Sequence, residues 1–278
     1  MALLRHGGRR PPLLVLAAAL GVAVIAVLVV SGSALAPFDP SHQDLMLSAA
    51  GPGGGHWLGT DMLGRDVFSQ LIAGTRGAVV GPLCVALAAG LIGVPLGLAA
   101  GYRGGVFDAV ANRLADLVYA LPVMLVIIVA VGVAGGGYWY AVVVLTVLTL
   151  PAEIRFCRSA TLVQARLPYV EAARVLGLSA PRIMLRHLLP NILPTVIATL
   201  LLDFVGALIS LSGLSYLGLG TPPGTPDWGQ LLNQGQSLLT VNPYLSLGPA
   251  VMIIVTAASV TLLGDWMYDR YSASADAR

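Results

Sequence analysis

Long uncharged apolar runs alternate along this chain with short polar links. Leu13 to Val30 is the first run. It is long enough to cross a bilayer at ~1.5 Å per residue with slight thinning, and it exceeds the ~7–15-residue core of a secretory signal. Arg5, Arg9 and Arg10 before it and Ala34-Leu35-Ala36 after it mimic a signal's charged start and cleavage site, yet the length makes it a retained first transmembrane helix. Residues 37–76 are polar, and Gly77 to Gly101 is a second span whose Gly and Ala positions suit close helix packing. Leu117 to Ala152 carries no charge and is too long for one span of ~20 residues, so Gly135-Gly136-Gly137 is read as a break between a third helix and a fourth that begins near Tyr138. Tyr138, Trp139 and Tyr140 fit an aromatic belt at a membrane interface. After a polar island from Glu153 to His187 come a fifth helix, Leu188 to Ser215, with Pro190 and Pro194 near its start, and a sixth, Leu245 to Gly264. The pattern predicts an all-α membrane protein with six transmembrane helices.

Composition agrees: 57% of the 278 residues are hydrophobic and 10% charged, against ~25% charged in an average soluble protein. The net charge of +2 is too small to suggest nucleic acid. Topology explains the arginines better. With both termini on the cytoplasmic side, every arginine except Arg65 and Arg76 falls on that side, as the positive-inside rule requires. Cys84, inside an apolar run, and Cys157, read as lying in a polar loop, sit at different depths and are unpaired. His6, His42, His56 and His187 are scattered without ligand spacing, so no metal is expected. The Gly51-to-Gly55 cluster has no following Gly-Lys-Ser and is a flexible loop, not a phosphate cradle. The chain has no P-loop anywhere, so it is not expected to hydrolyse ATP, and no cofactor of its own is expected.

Three polar features carry candidate chemistry. In the first link, Thr60 or Asp61 can cap a short helix whose Phe68, Leu71 and Ile72 face inward, while Arg65 and Asp66 make local pairs. In the polar island, Glu171-Ala-Ala-Arg-Val-Leu is helix material, Gly177 supplies a left-handed stop, and Ser179 can cap a second helix with Pro181 in its first turn. Ala172, Ala173 and Leu176 are expected on one small apolar face. Within the fifth span, Asp203 costs ~2.5–3.5 kcal/mol on insertion scales, so it faces protein or a water-filled path. Pairing within the bundle is slightly favoured over contact with a transported molecule.

Glu171-Ala172-Ala173, Gly177 six residues after the glutamate, and His187-Leu188-Leu189-Pro190 resemble the cytoplasmic signature loop of ABC-importer permeases. In that family the loop forms a coupling helix seated in a groove of the ATPase subunit. Leu58-Gly59-Thr60-Asp61, followed by Gly64-Arg65-Asp66, resembles a block of the dipeptide and oligopeptide subgroup, and the stretch from Leu214 to Leu232 is a third match. Relatives often carry an acidic residue where this chain has Ser210; Asp203, seven residues earlier on nearly the same helix face, is a possible substitute.

The resemblance implies the type I importer permease fold, with an N-terminal helix and extracytoplasmic loop over 1–76 and a permease domain over 77–278 whose coupling loop spans about 153–187. It implies ATPase coupling by Glu171, Ala172, Ala173, Gly177, Leu178, Ser179 and His187. Gly59, Thr60, Asp61, Gly64, Arg65 and Asp66 are implied to face the binding protein or to gate, and Asp203 and Ser210 to lie on the translocation path. The implied partners, besides the lipid bilayer, are a paralogous second permease, two ATPase subunits that carry ATP and Mg, and an extracytoplasmic protein delivering dipeptides or oligopeptides, or haem or a metal chelate. The implied location is a bacterial cytoplasmic membrane. Two rivals are weaker. A secondary transporter driven by an ion gradient would be expected to show inverted repeats or more than one buried titratable group, and beyond Asp203 only Asp116 and Asp265 occur, nearer the span edges. An intramembrane hydrolase would need a base near Ser210 or Ser212, where there is no histidine.

Overall fold

The computed structural model describes residues 12–222 and 224–276; Arg5, His6, Arg9, Arg10 and Arg278 lie outside them. The described residues are helical, with no named strands. The first apolar run forms α1 (Leu13–Ser31), followed by a loop with two short 3-10 turns that leads to α2 (Val67–Arg103). Then come α3 (Gly105–Tyr119), α4 (Val123–Val133), α5 (Tyr138–Gln164), the short α6 (Pro168–Val175) and α7 (Ala180–Ile183). From α7 the chain passes through a π-helical turn, Met184–Leu188, into α8 (Leu189–Tyr216). The chain ends with α9 (Trp228–Gln236) and α10 (Tyr244–Asp276).

Five of these spans are long and apolar enough to cross a membrane, the fourth running from Ala180 through the π turn to Tyr216, and α3 with α4 makes a sixth, bent by 80°. The straight third helix expected from the sequence is therefore broken. Pro122 is the cause, because it lacks an N–H and disfavours helical geometry at Leu121 before it. A second departure is α2, one helix of 37 residues where a short capped helix and a separate span were expected. Its N-cap is Asp66, not Thr60 or Asp61: the Asp66 carboxylate accepts the Ser69 N–H at 2.8 Å and the Ser69 hydroxyl at 2.6 Å. Cys157 is also displaced from its expected loop. It is buried in α5, with its thiol donating to the Val94 carbonyl at 3.3 Å.

α2 is the central helix, and α5 and α8 pack along it. Gly93, Gly97 and Gly101 fall four residues apart and form a smooth strip against α5. A Cβ at Gly93 would stand 2.8 Å from Glu153 Cγ, one at Gly97 2.6 Å from Cys157 Cβ, and one at Gly101 2.7 Å from the Arg158 carbonyl. Without a hydrophobic drive between helices in lipid, such close backbone approach is what holds them together. Gly97→Ala is therefore expected to overpack the contact and cost ~1–3 kcal/mol, read as a lower melting temperature of the purified chain in detergent. Leu91, on the outer side of α2, is 80% exposed, as a lipid-facing side chain is.

The links sort to two ends. At one, the 32–66 loop meets the α9 and α10 segments: Asn242 is fully buried and donates to the carbonyls of Leu58 at 3.0 Å, Thr60 at 3.2 Å and Ala50 at 3.4 Å, while Trp228 Nε1 donates to the Leu71 carbonyl at 3.0 Å. Tyr138 departs from the expected aromatic belt here. Trp139 and Tyr140 are exposed, but Tyr138 turns inward, donating its hydroxyl to the Gly77 carbonyl and accepting the Gly81 N–H at 3.0 Å, so that it interrupts the ladder of α2 just before Pro82. Asn242→Ala would leave the loop carbonyls unsatisfied, at ~1–3 kcal/mol; faster amide exchange across 44–66, with the spans unchanged, is the expected reading. At the other end, Arg158 forms a two-pronged pair with Asp108, and Arg174 lies 4.8 Å over the Tyr102 ring.

Candidate functional site

The polar island folds as its residues dictate. Pro168 opens α6 and Glu171 stands in its first turn, where a negative charge suits the helix dipole. Gly177 adopts φ +73° and closes the helix: its N–H bonds the Arg174 carbonyl at 2.9 Å and the Leu178 N–H bonds the Ala173 carbonyl at 3.2 Å. This is the paired bonding of a Schellman cap, completed by apolar contact between Leu178 and the cluster containing Ala173. Ser179 occupies the N-cap position of α7, yet its hydroxyl makes no capping bond.

The apolar face differs from the sequence expectation. Ala173 turns inward with Val170 onto Ile183, Leu188 and Ile192. Ala172 faces outward with Val175, 83% exposed, and Leu176, 79% exposed, beside exposed Glu171 and Arg174. His187 lies half-buried in the π turn, its carbonyl accepting from Asn191 Nδ2 at 2.6 Å. The coupling candidates are thus brought together at the arginine-rich end, with an unpartnered apolar knob of Ala172, Val175 and Leu176 at its tip. Val175 was missed, although its position three residues after Ala172 places it on that face.

The block from Gly59 to Asp66 is a buried scaffold. Asp61 Oδ1 accepts the backbone N–H groups of Leu63 and Arg65, both at 2.9 Å, and Oδ2 accepts Arg65 Nε at 2.7 Å and Gln70 Nε2 at 3.0 Å. Asp66 Oδ1 pairs with His56 Nδ1 at 2.9 Å. The Thr60 hydroxyl donates to the Leu47 carbonyl and accepts from the Ala50 N–H. Gly59 and Gly64 have positive φ, and a Cβ at either would collide with backbone, of Ala50 and Asp44 respectively. What this scaffold presents outward is Met46, Trp57 and Met62. Beside it lies a cavity of about 570 Å³ lined by Met62, Leu63, Asn233 and Ser237 among others.

On α8, Asp203 and Ser210 are both half-buried, and Asp203 Oδ2 is buried without a hydrogen-bond partner. A second buried acid escaped the sequence reading. Glu153 is 1% exposed within α5, one carboxylate oxygen accepting from the Thr199 hydroxyl at 3.3 Å and the other, Oε2, unpartnered. The signal was present: a helix starting at Tyr138 must run ~20 residues to cross a bilayer, so it cannot stop before Glu153. Nearby, Asp116, Tyr119, Ala120, Ala152, Arg155 and Phe156 line a cavity of about 560 Å³. Among the described residues, no cluster of three or more His, Cys, Asp or Glu side chains could hold a metal.

Residues 93–275 match the family described as binding-protein-dependent transport system inner membrane component. The chain belongs to this family of permeases. Among curated proteins it is similar to the glutathione transport system permease protein GsiD of Pectobacterium atrosepticum, 35% identical over 236 residues, covering 84% of this chain and 78% of that one. It is also similar to GsiD of Escherichia coli O1:K1, 33% identical over 261 residues, covering 91% and 84%. Among solved structures, two inward-facing crystal forms of the MetNI methionine ABC transporter align with TM-scores of 0.59 and 0.60 at 18% identity, covering 73% of this chain and 96% of the other, and show a shared fold. The permease is therefore a multi-pass inner-membrane subunit of an ABC importer with the type I fold. It works with ATPase subunits, which use the ATP, and with a substrate-binding protein; it is not itself the enzyme. The ion-gradient alternative falls, although a second buried acid, the feature once expected of it, is present.

Proposed function

We propose that this permease imports dipeptides or oligopeptides, pairing with a paralogous second permease and with two ATPase subunits that bind ATP and Mg. Both termini and the α6 end then face the cytoplasm. The support is the arginine distribution: Arg103, Arg113, Arg155, Arg158, Arg166, Arg174, Arg182 and Arg186 all fall in or beside the links at that end, while Arg65 and Arg76 fall at the other. The observation that carries the coupling role is the outward knob of Ala172, Val175 and Leu176 on a helix fixed by its Gly177 cap. Apolar side chains this exposed outside the bilayer suit a groove in a partner. Glu171 and Arg174 flank the knob, Leu178 and Ser179 set the turn behind it, and His187 lies in the π turn that continues into the α8 span. Closure of the ATPase dimer on ATP would push α6 and rock α5 and α8 against their counterparts. At the opposite end, the scaffold of Gly59, Thr60, Asp61, Gly64, Arg65 and Asp66 would present its loop to the binding protein. Asp203 and Ser210 would face the translocation path.

The peptide cargo is supported by the two relatives named for glutathione, itself a small peptide, and by the Leu58-to-Asp66 block. Proteoliposomes holding the complete importer, with ATP at the ATPase face and the binding protein opposite, test the reading. Uptake of labelled dialanine or glutathione that stops when the ATPase P-loop lysine is replaced is the expected result. Uptake of haem or a nickel chelate with neither peptide would reassign the cargo.

A further inference from the structure

We propose that the cavity between the Gly59-to-Asp66 scaffold and α9 binds the C-terminal carboxylate of the peptide cargo, with Arg65 as the group that grips it, a deeper statement that rests on the peptide reading above. Arg65 is 4% exposed and lines this cavity of about 570 Å³. Its Nε donates to Asp61 Oδ2 at 2.7 Å, while Nη1 and Nη2 make no hydrogen bond among the described residues. Neither of these two atoms is among the unpartnered polar atoms sealed from the surface, so the little of Arg65 that is exposed includes the outer edge of its guanidinium. Buried donors are ordinarily spent on acceptors. Asp61 cannot take up the remainder. Its Oδ1 accepts the Leu63 and Arg65 N–H groups and its Oδ2 accepts Arg65 Nε and Gln70 Nε2, which commits both oxygens. Asp61 therefore clamps the guanidinium by its Nε side and leaves the Nη1–Nη2 edge free, a fork that fits a second carboxylate through two parallel bonds. Because Asp61 offsets the charge of Arg65, the site is stable without an anion and can release the one it takes.

The shape of the cavity indicates where that carboxylate comes from. Its volume lies within the ~300–1,000 Å³ typical of small-ligand sites. A recessed guanidinium at the wall of such a space is reached more readily by a short peptide that enters whole than by a side chain fixed to a protein surface. Met62 and Leu63 supply apolar wall, and Gln234 and Gln236 on α9 supply carboxamides that can donate to or accept from peptide groups. Every unmodified peptide ends in a carboxylate whatever its side chains, so a grip on that terminus accommodates varied cargo. The cavity also lies at the end of the bundle where the binding protein would release what it carries.

The test uses the complete importer in nanodiscs without ATP. Ser237→Cys places a thiol on the exposed wall of the cavity. Its modification by a small maleimide is followed at that position by mass spectrometry, with dialanine or dialanine amide, which lacks the carboxylate, as the competitor. Dialanine raised to about four times its Kd is expected to slow labelling about fivefold, and dialanine amide to leave it unchanged. Protection should vanish in Gln234→Glu, which sets a competing carboxylate on the α9 wall and leaves the Asp61–Arg65 pair untouched. The double variant Asp61→Asn with Arg65→Met should lose it too, in a loop that still resists protease. Equal protection by both compounds, no protection by dialanine, or protection that survives Gln234→Glu overturns the subsite. Protection by cargo-free binding protein with none by dialanine also overturns it, by giving the cavity to a protein side chain. Dialanine uptake by the unmodified importer separates the two levels: uptake without protection sinks the subsite alone, while absence of uptake sinks the peptide reading with it.

Discussion

Gly177→Asp is expected to reduce uptake at least ~100-fold, which corresponds to ~2.7 kcal/mol, in a chain that still inserts and folds. The position is unusual in allowing these effects to be separated. Its φ of +73° disfavours most side chains, but Asp tolerates this region, at ~1 kcal/mol of strain. A Cβ there meets nothing within 4 Å, so no neighbour has to move. A negative charge at the C-terminal end of α6 adds a further ~0.3–1 kcal/mol against the helix dipole. Together these leave the cap weakened and the fold standing. In the assembled importer the new carboxylate would sit beside Val175 and Leu176 as they enter the ATPase groove, and a charge buried there without a partner costs several kcal/mol. Uptake and ATPase stimulation by the loaded binding protein should fall together, while the amount of protein in the membrane holds. Gly177→Ala, with the strain but no charge, should keep most of its activity. Normal transport by the Asp variant would show that this turn is not the coupling point.

The sequence made the alternation of spans and links legible because apolar length is a direct requirement of the bilayer. It failed where polarity was mistaken for exposure. Ser69, Gln70 and Thr75 made the start of α2 look like a short helix separate from the span, yet all three are buried, with Ser69 bonded to Asp66, Gln70 to Asp61 and Thr75 to the Leu71 carbonyl. Glu153 was read as the edge of a polar island for the same reason. The face of α6 was ambiguous for a different cause: in eight residues, apolar positions occur on both sides, and only the turn back of Leu178 onto Ala173 decides which is covered. The bend at Pro122 was visible as a residue but lay inside an unbroken apolar run, which masked it.

Asp61→Asn is expected to destabilise the 44–66 loop by ~3–5 kcal/mol, the scale for removing one member of a buried ion pair. Arg65 is 4% exposed, and its charge partner is Asp61. The amide replacement is close in shape but cannot satisfy the site. With its oxygen kept toward the Leu63 and Arg65 N–H groups, its NH2 confronts the Arg65 and Gln70 donors; flipped, it confronts the backbone donors instead. The loop should open to protease, and stimulation by the binding protein should be lost, while basal ATPase activity persists because α6 lies at the other end of the spans. A double variant, Asp61→Asn with Arg65→Met, distinguishes scaffold from contact surface. The amide oxygen still accepts the Leu63 and Arg65 N–H groups, Gln70 can turn its own amide oxygen toward the introduced NH2, and methionine removes the guanidinium that the amide could not satisfy. If the pair only holds the loop that presents Met46, Trp57 and Met62, the double variant should recover protease resistance and binding-protein stimulation together. Recovery of the fold without stimulation would place Asp61 and Arg65 in direct contact with the binding protein, against the burial seen here.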